Sequence, residues 1–105
     1  MTYELYIEPA VYEARKALPG NVRQRVRAQI EALARAPRPR DSRPLKTTDL
    51  DLSAAVQIRR IRLERWRIVY AVNDAERWVW VLGLYQRPPY NYEDLASLAS
   101  RLPPT

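Results

Sequence analysis

Alternation of apolar with other side chains between residues 56 and 84 constrains the fold of this chain more than any other feature. Apolar residues recur at every second position in three segments, at Ile61 and Leu63, at Trp66, Ile68, Tyr70 and Val72, and at Trp78, Trp80, Leu82 and Leu84. A period of two residues is typical of strands with one buried face. The polar stretches between the segments, residues 64–65 and 73–76, are short enough for hairpin turns. The pattern therefore predicts a three-stranded antiparallel meander.

The first third of the chain predicts a strand and two helices. Residues 3–8 alternate Tyr3, Leu5 and Ile7 with polar or charged neighbours, which favours a short strand. Pro9 suits the first position of a helix, and helical spacing of apolar residues continues to Leu18, before Pro19 and Gly20 end it. Asn21 can cap a second helix, which ends before Pro37 and has an apolar stripe at Val22, Val26, Ile30 and Leu33. We expect the two helices to form a hairpin.

Two regions flank the predicted meander. Residues 37–55 are rich in proline and polar groups without periodicity, which indicates a long connection with a role in binding a partner. After Pro88 and Pro89, Asn91 can cap a short terminal helix with apolar positions at Leu95, Leu98 and Leu102. The element order is then β-α-α-β-β-β-α in an α+β fold. A chain of 105 residues has room for one core, so we expect a single domain over residues 1–105.

The absence of two residue types excludes several kinds of chemistry. The chain has no cysteine and no histidine, which removes disulfides, thiolate nucleophiles, the usual metal ligand and the usual general base. We expect neither a metal nor a cofactor. No apolar run approaches the roughly 20 residues that span a bilayer, and residues 1–13 lack the basic residues of a signal peptide. The sequence thus predicts a soluble cytoplasmic protein that does not associate with membranes.

The positive charge is concentrated in the middle of the chain. Residues 15–67 contain fifteen Lys or Arg and five Asp or Glu, a balance of +10, whereas the other residues sum to −4. Sixteen of the eighteen cations are arginine, whose planar fork binds phosphate and stacks on bases. A polyanionic partner is therefore expected. The arginines of the predicted helices, Arg15, Arg23, Arg25, Arg27 and Arg35, are typical of a solvated helix face.

The arginines of the meander are expected to converge on one side of the sheet. A turn at residues 73–76 that pairs Val72 with Trp78 sets Arg67 opposite Gly83, and a two-residue turn at residues 64–65 sets Arg62 opposite Arg67 and Arg60 opposite Val69. Four arginines then share the face away from the tryptophans and the helices, above small residues at Val69, Ala71, Val81 and Gly83: Arg60, Arg62, Arg67 and Arg87. Such a surface suits single-stranded nucleic acid. In the alternative, some of these arginines pair with Glu64, Asp74, Glu76 or an acid near the C-terminus, and the face is an ordinary solvated one.

Aromatic residues divide into two groups on this interpretation. The three tryptophans share a face with aliphatic residues and are expected in the core. Tyr85, Tyr90 and Tyr92 flank Arg87, where a ring can stack on a base; alternatively, they pack against the last helix. Lys46, in the long connection, joins Arg62, Tyr85 and Tyr90 as a predicted RNA-binding or phosphate-binding residue.

These residues resemble a known family. The run from Arg60 through Tyr70, the turn at Asn73, residues 78–84, Arg87, and Tyr92 with the three residues after it are similar to the RelE/ParE superfamily of toxins from type II toxin–antitoxin systems. The resemblance covers nearly the whole chain and implies the RelE-like microbial ribonuclease fold. For RelE-type members it implies ribosome-dependent cleavage of mRNA, inhibition of translation, and a cognate acidic antitoxin that wraps the toxin.

The resemblance also assigns roles to residues. It places Arg60 and Arg62 among the family's catalytic or phosphate-binding residues. Arg67 and Arg87 match two arginines on the sheet of the family. Tyr92 is the counterpart of the family's C-terminal tyrosine, and Tyr90 is the other candidate for that position. RelE has lysines on its second strand, where this chain has Arg60 and Arg62. An arginine in a protein keeps its proton and therefore cannot act as a general base. We therefore expect Arg60, Arg67 and Arg87 to stabilise the phosphate, while Tyr92, with its pKa lowered by guanidinium groups, or Glu64 handles the proton.

Two other functions remain open at this point. ParE-type members of the same superfamily inhibit DNA gyrase and do not cut RNA. A non-catalytic RNA-binding or regulatory domain would use the same arginines to bind phosphates without cleavage.

Overall fold

Within the residues that the structure describes, the fold is a mixed five-stranded sheet with two helices on one side. The computed structural model describes residues 2–47, 52–86 and 99–102. Along the chain the elements are β1 (Glu4–Ile7), α1 (Pro9–Lys16), α2 (Gly20–Ala32), β2 (Ser42–Pro44), β3 (Val56–Leu63), β4 (Trp66–Asn73) and β5 (Trp78–Gln86). The strand order is β1-β5-β4-β3-β2. β1 is parallel to β5, and the other neighbours are antiparallel.

The first hydrophobic core lies between the helices and the sheet. The predicted stripe of α2 is confirmed: Val26 and Ile30 are fully buried, Leu33 just after the helix is also buried, and Val22 packs beside them. The helices contact alternate residues of the strands, namely Ile61 and Leu63 of β3, Ile68, Tyr70 and Val72 of β4, and Val79, Val81 and Leu84 of β5. β1 contributes Leu5 and Ile7 on the same side, as its alternation predicts.

The start of α2 differs from the expectation. Asn21 was expected as the cap, but α2 begins at Gly20 with Pro19 in the cap position and without a side-chain cap. Pro19 has φ −54° and ψ 147°, and its carbonyl accepts the Arg23 N–H at 2.8 Å. Because the proline ring fixes φ in a range that suits the residue before a helix, the helix begins two residues earlier than a capping asparagine at position 21 would require.

Residues 37–55 contain a strand that the pattern did not predict. β2 pairs with β3 antiparallel, with Ser42 opposite Ile61 and Pro44 opposite Arg59. A three-residue segment is too short to establish a period, and its proline is compatible only with an edge strand. Up to Gln86, and leaving residues 48–51 aside, the observed order is therefore β-α-α-β-β-β-β. The predicted terminal helix lies outside the described residues except for residues 99–102, where the Leu102 N–H donates to the Ala99 carbonyl at 3.1 Å.

The register of one hairpin agrees with the prediction and that of the other does not. β3 and β4 pair as expected, with Arg62 opposite Arg67 and Arg60 opposite Val69. β4 and β5 pair Asn73 with Trp78, because the turn between them has four residues. An irregularity between Val69 and Tyr70 then shifts the pairing by one further residue. Since side chains alternate along a strand, a slip of one residue exchanges the two faces of β5 near the turn.

The exchange creates a second hydrophobic core on the other side of the sheet. Trp78 and Trp80 lie there, not beneath the helices as expected, and Val81 lies on the helix side instead. The second core joins Ile58, Val69, Ala71, Trp78 and Leu82 with Leu45, Leu52, Val56, Trp80, Tyr85, Ala99 and Leu102. The face predicted to be an open groove of small residues is therefore largely packed.

Candidate nucleic-acid interface

Four arginines lie on the side of the sheet away from the helices, beside the second core. Directly opposite residues in a sheet point to the same face, and the pairs are Arg43 with Arg60, Arg60 with Val69, and Arg62 with Arg67. We call Arg43, Arg60, Arg62 and Arg67 the sheet arginines. Arg43 and Arg62 are exposed, Arg60 is half-buried and Arg67 is buried. Three neighbouring strands thus bring guanidinium groups to one face, as predicted for β3 and β4.

Arg67 is held differently from the other three. Its side chain is only 6% exposed, and its guanidinium donates to the carbonyl oxygens of Glu64 at 2.9 Å and Trp66 at 3.0 Å. These bonds fix the arginine to the turn between β3 and β4. Its predicted role in binding phosphate stays a prediction. The contacts hold the positive charge of Arg67 at this turn, on the strand next to the more exposed Arg62.

Tyr85 lies next to Arg67, its partner across β4 and β5. The tyrosine ring covers Gly83: a Cβ atom added at Gly83 would lie 2.4 Å from the ring carbon Cε2 and 2.6 Å from Cζ. Only glycine leaves room for the ring in this position. The predicted site residue Tyr85 is therefore half-buried against the sheet beside the arginines, with part of its surface accessible.

Two of the acids that could have neutralised the sheet arginines bind other partners. Glu64 accepts a hydrogen bond from Arg25 of α2 at 2.8 Å. Asp74 accepts from Arg38 at 2.7 and 3.2 Å. Within residues 2–47, 52–86 and 99–102, Arg43, Arg60 and Arg62 form no ion pair. Like charges that face each other across strands repel, so an anion on this face would be stabilised.

The carboxylate of Asp74 is the centre of a polar cluster at the opposite end of β4. It also accepts a hydrogen bond from the Tyr3 hydroxyl at 2.6 Å. The Arg38 guanidinium, together with this hydroxyl, lowers the pKa of Asp74 below its ordinary value of 3.8. The same hydrogen bond raises the pKa of Tyr3 above 10.0. The cluster ties the segment before β2 to the turn between β4 and β5, and it keeps Asp74 ionised.

The remaining predicted site residues are placed as follows. Lys46 is exposed two residues after β2, on the same edge of the sheet as Arg43. Arg87, Tyr90 and Tyr92 lie outside the described residues. Arg43 was missed because it belongs to the unpredicted strand, and its position three residues before Lys46 in a basic segment was the one available signal. In the described part of the chain, no acidic residues group in a way that could hold a metal ion.

Among known proteins, several solved structures are similar to this chain. No protein-family model matches the sequence, and no curated protein matches it. A chain of the archaeal RelE–RelB complex of Pyrococcus horikoshii OT3 is 27% identical, with a TM-score of 0.73 over 86% of this chain and 100% of that one. A chain of the RelBE2 toxin–antitoxin complex of Mycobacterium tuberculosis is 20% identical, with a TM-score of 0.63 over 83% of this chain and 100% of that one. The isolated E. coli RelE toxin is 19% identical, with a TM-score of 0.57 over 94% of this chain and 97% of that one.

The architecture and the arginine-bearing sheet define an α+β domain of the RelE type. The predicted fold class and the predicted resemblance are both confirmed by these structures. The chain is similar to RelE toxins in its fold. In the part of the chain that the structure describes, neither helix has the length and apolar character needed to cross a membrane.

Proposed function

We propose that this chain is the toxin of a type II toxin–antitoxin system and inhibits translation by cutting mRNA on the ribosome. The similar structures are RelE proteins, and two of them are complexes with RelB antitoxins. The observation that carries the proposal is the group of sheet arginines, three of which form no ion pair with a described residue. Such a surface can bind a phosphodiester chain and stabilise the charge that develops on it during cleavage.

The cleavage reaction requires a division of roles among these residues. Attack of a ribose 2′-hydroxyl on the adjacent phosphorus forms a cyclic phosphate and breaks the bond to the 5′-oxygen. A base must accept the hydroxyl proton, and the leaving 5′-oxygen must receive a proton, either from the protonated base or from water. Arg60, Arg67 and Arg87 stabilise the phosphate charge, and Arg62 and Lys46 bind the flanking backbone. Tyr85 and Tyr90 offer rings for base stacking.

Tyr92 is the proposed group for proton transfer. Arginine does not lose its proton in proteins, so none of the sheet arginines can be the base. The other candidate, Glu64, is bound to Arg25 of α2 and is directed toward that helix. Guanidinium groups near a tyrosine favour its ionised form, which can accept the 2′-hydroxyl proton. This reaction requires the ribosome to orient the mRNA, because a weak base gains most from precise positioning of its substrate.

The positive charge of the chain also indicates which partners it binds. The basic region, with a charge balance of +10 over residues 15–67, fits an acidic antitoxin that wraps the toxin. Ribosomes and mRNA are the targets, and the site of action is the cytoplasm. Inhibition of DNA gyrase, as in ParE-type members, is not favoured, since the similar structures described above are RelE proteins.

A translation extract with purified ribosomes and one defined mRNA tests the proposal. We expect new 5′ ends at defined codons with the wild type, and Tyr92→Phe is expected to lower the cleavage rate roughly 10²- to 10⁴-fold because it removes proton transfer. The double variant Arg60→Gln/Arg62→Gln should weaken cleavage through lost phosphate contacts. Its matched control, Arg35→Gln/Arg77→Gln, removes the same charge from exposed positions after α2 and in the turn between β4 and β5, and it should retain activity.

Two outcomes would contradict the proposal. Intact mRNA together with inhibition of gyrase supercoiling would place the chain with the ParE-type toxins. Binding of RNA that weakens in Arg60→Gln/Arg62→Gln, without any cleavage by the wild type, would make it a regulatory RNA-binding domain.

A further inference from the structure

A second group of arginines lies on the helix side of the molecule, opposite the sheet arginines. The hairpin of α1 and α2 carries a cleft of about 530 Å³, lined by Arg15, Arg23, Gln24, Arg27, Ala28 and Glu31. We call it the helix cleft. Arg15 comes from the last turn of α1, and the other residues come from α2. The α2 residues are exposed and follow the buried stripe by one or two positions, so they lie on the flank turned away from the sheet.

The cleft retains most of its positive charge. Within the described residues, Arg15 and Arg23 have no carboxylate partner, and the Arg15 guanidinium lies 5.1 Å from the centre of the Tyr12 ring. Arg27 forms an ion pair with Glu31 at 3.3 Å, in which both side chains are more than half exposed. An exposed ion pair of this kind contributes little to stability. A phosphate group can therefore compete with Glu31 for the guanidinium of Arg27.

The composition of the cleft favours RNA over a protein partner. Ala28 provides the one apolar side chain of the lining, whereas the centre of a protein–protein interface is apolar and often aromatic. Interfaces with nucleic acids are more polar and far more positive. Arg23 and Arg27 are one helical turn apart, about 6 Å along the axis. With Arg15 on the other helix, they can contact successive phosphates of one strand from two sides.

We propose that the helix cleft binds the phosphodiester backbone of ribosomal RNA while the sheet arginines hold the mRNA. The inference rests on the proposed function, because a toxin that cuts mRNA on the ribosome must contact both RNAs at once. The helices and the sheet arginines are on opposite sides of the sheet, so the two contacts do not compete for space. Binding through the cleft raises the local concentration of the sheet arginines at the mRNA.

The test is binding of the full-length toxin to small ribosomal subunits without mRNA, over a series of salt concentrations. For Arg15→Gln/Arg23→Gln we expect about 2- to 30-fold weaker binding, as for the loss of two exposed charge contacts. The slope of log K against log salt should fall by about 1.4 to 1.8, since each phosphate contact contributes about 0.7 to 0.9. The matched control is Arg35→Gln/Arg101→Gln, which removes two exposed charges from outside the cleft.

Cleavage kinetics provide a second measurement. The cleft variant should raise the KM for ribosomes and leave kcat unchanged, because the cleft does not touch the reacting phosphate. Unchanged affinity for subunits overturns the inference, as does a selective loss of binding to poly-glutamate, which would make the cleft a site for an acidic protein. If the wild type cuts no mRNA and the cleft variant still loses affinity for subunits, the proposed cleavage fails and the cleft assignment stands.

Discussion

Arg62 and Arg67 are opposite partners on β3 and β4, yet their surroundings differ. Arg62 is exposed, whereas Arg67 is buried and donates to two carbonyl oxygens of the adjacent turn. The sequence predicted their pairing correctly, because a two-residue turn at residues 64–65 leaves one register for the hairpin. It could not predict the burial of Arg67, which depends on the side chains that cover this face from distant segments.

Gly83 lies beneath the Tyr85 ring, so the effect of adding one methyl group at this position can be predicted. Replacement by alanine places a methyl group in the space of the Tyr85 ring, so the ring must move away from the sheet. We expect Gly83→Ala to destabilise the protein by about 1 to 2 kcal/mol, the usual range for overpacking.

The background variant Tyr85→Ala tests the cause. In that background the added methyl group has room, so Gly83→Ala should change the free energy of unfolding by less than about 0.5 kcal/mol. Urea unfolding of the four proteins gives the coupling energy. Equal costs in both backgrounds would show that the ring is not what excludes a side chain at Gly83.

At the scale of elements, the hydrophobic pattern predicted β1, both helices and the three long strands. It missed β2, because three residues that include a proline have no readable period. It also misplaced Trp78 and Trp80, since the faces of β5 depend on the length of the turn and on the irregularity opposite Val69 and Tyr70. Both features depend on backbone geometry that alternation alone does not encode.

The cluster around Asp74 joins three parts of the chain and predicts a dependence on pH. The pKa of Asp74 is lower in the folded protein than its ordinary value of 3.8, mainly through Arg38. The unfolded chain therefore binds more protons between the two values, so stability is complete above about pH 4 and is lost as the pH falls through the folded pKa. Because both side chains are more than a third exposed, we expect a contribution of only about 0.5 to 1 kcal/mol.

Asp74→Asn checks this expectation by urea unfolding between pH 3 and pH 7. The variant should be less stable than the wild type at pH 7, and the difference should shrink toward pH 3. Glu76→Gln, at an exposed position of the same turn and without an ion pair among the described residues, is the matched control and should show no such trend. A difference that stays constant with pH would mean that the ionisation of Asp74 is not responsible.

At the scale of the whole molecule, the sheet separates two positive surfaces. The sheet arginines lie on one side and the helix cleft on the other. Composition predicted a polyanionic partner but gave no indication of two surfaces, because the helix arginines looked like an ordinary solvated face. The distinction needed the packing of α1 against α2, which brings Arg15 opposite Arg23 and Arg27.

Independence of the two surfaces is a testable consequence. We expect the changes in salt slope for Arg15→Gln/Arg23→Gln and Arg60→Gln/Arg62→Gln to add in the quadruple variant when it binds programmed ribosomes, since distant sites without shared partners are usually additive. The measurement is affinity at four salt concentrations for the wild type, the two double variants and the quadruple variant. A quadruple variant no worse than either double variant would mean that both pairs serve a single contact.

The packing of β4 on both sides has a consequence for the resistance of the protein to proteolysis. Every residue from Arg67 to Asn73 is buried, between the helix-side core on one face and the second core on the other. Because both cores must open before a protease can reach this strand, we expect cleavage within β4 to follow the unfolding of the domain and not local fraying.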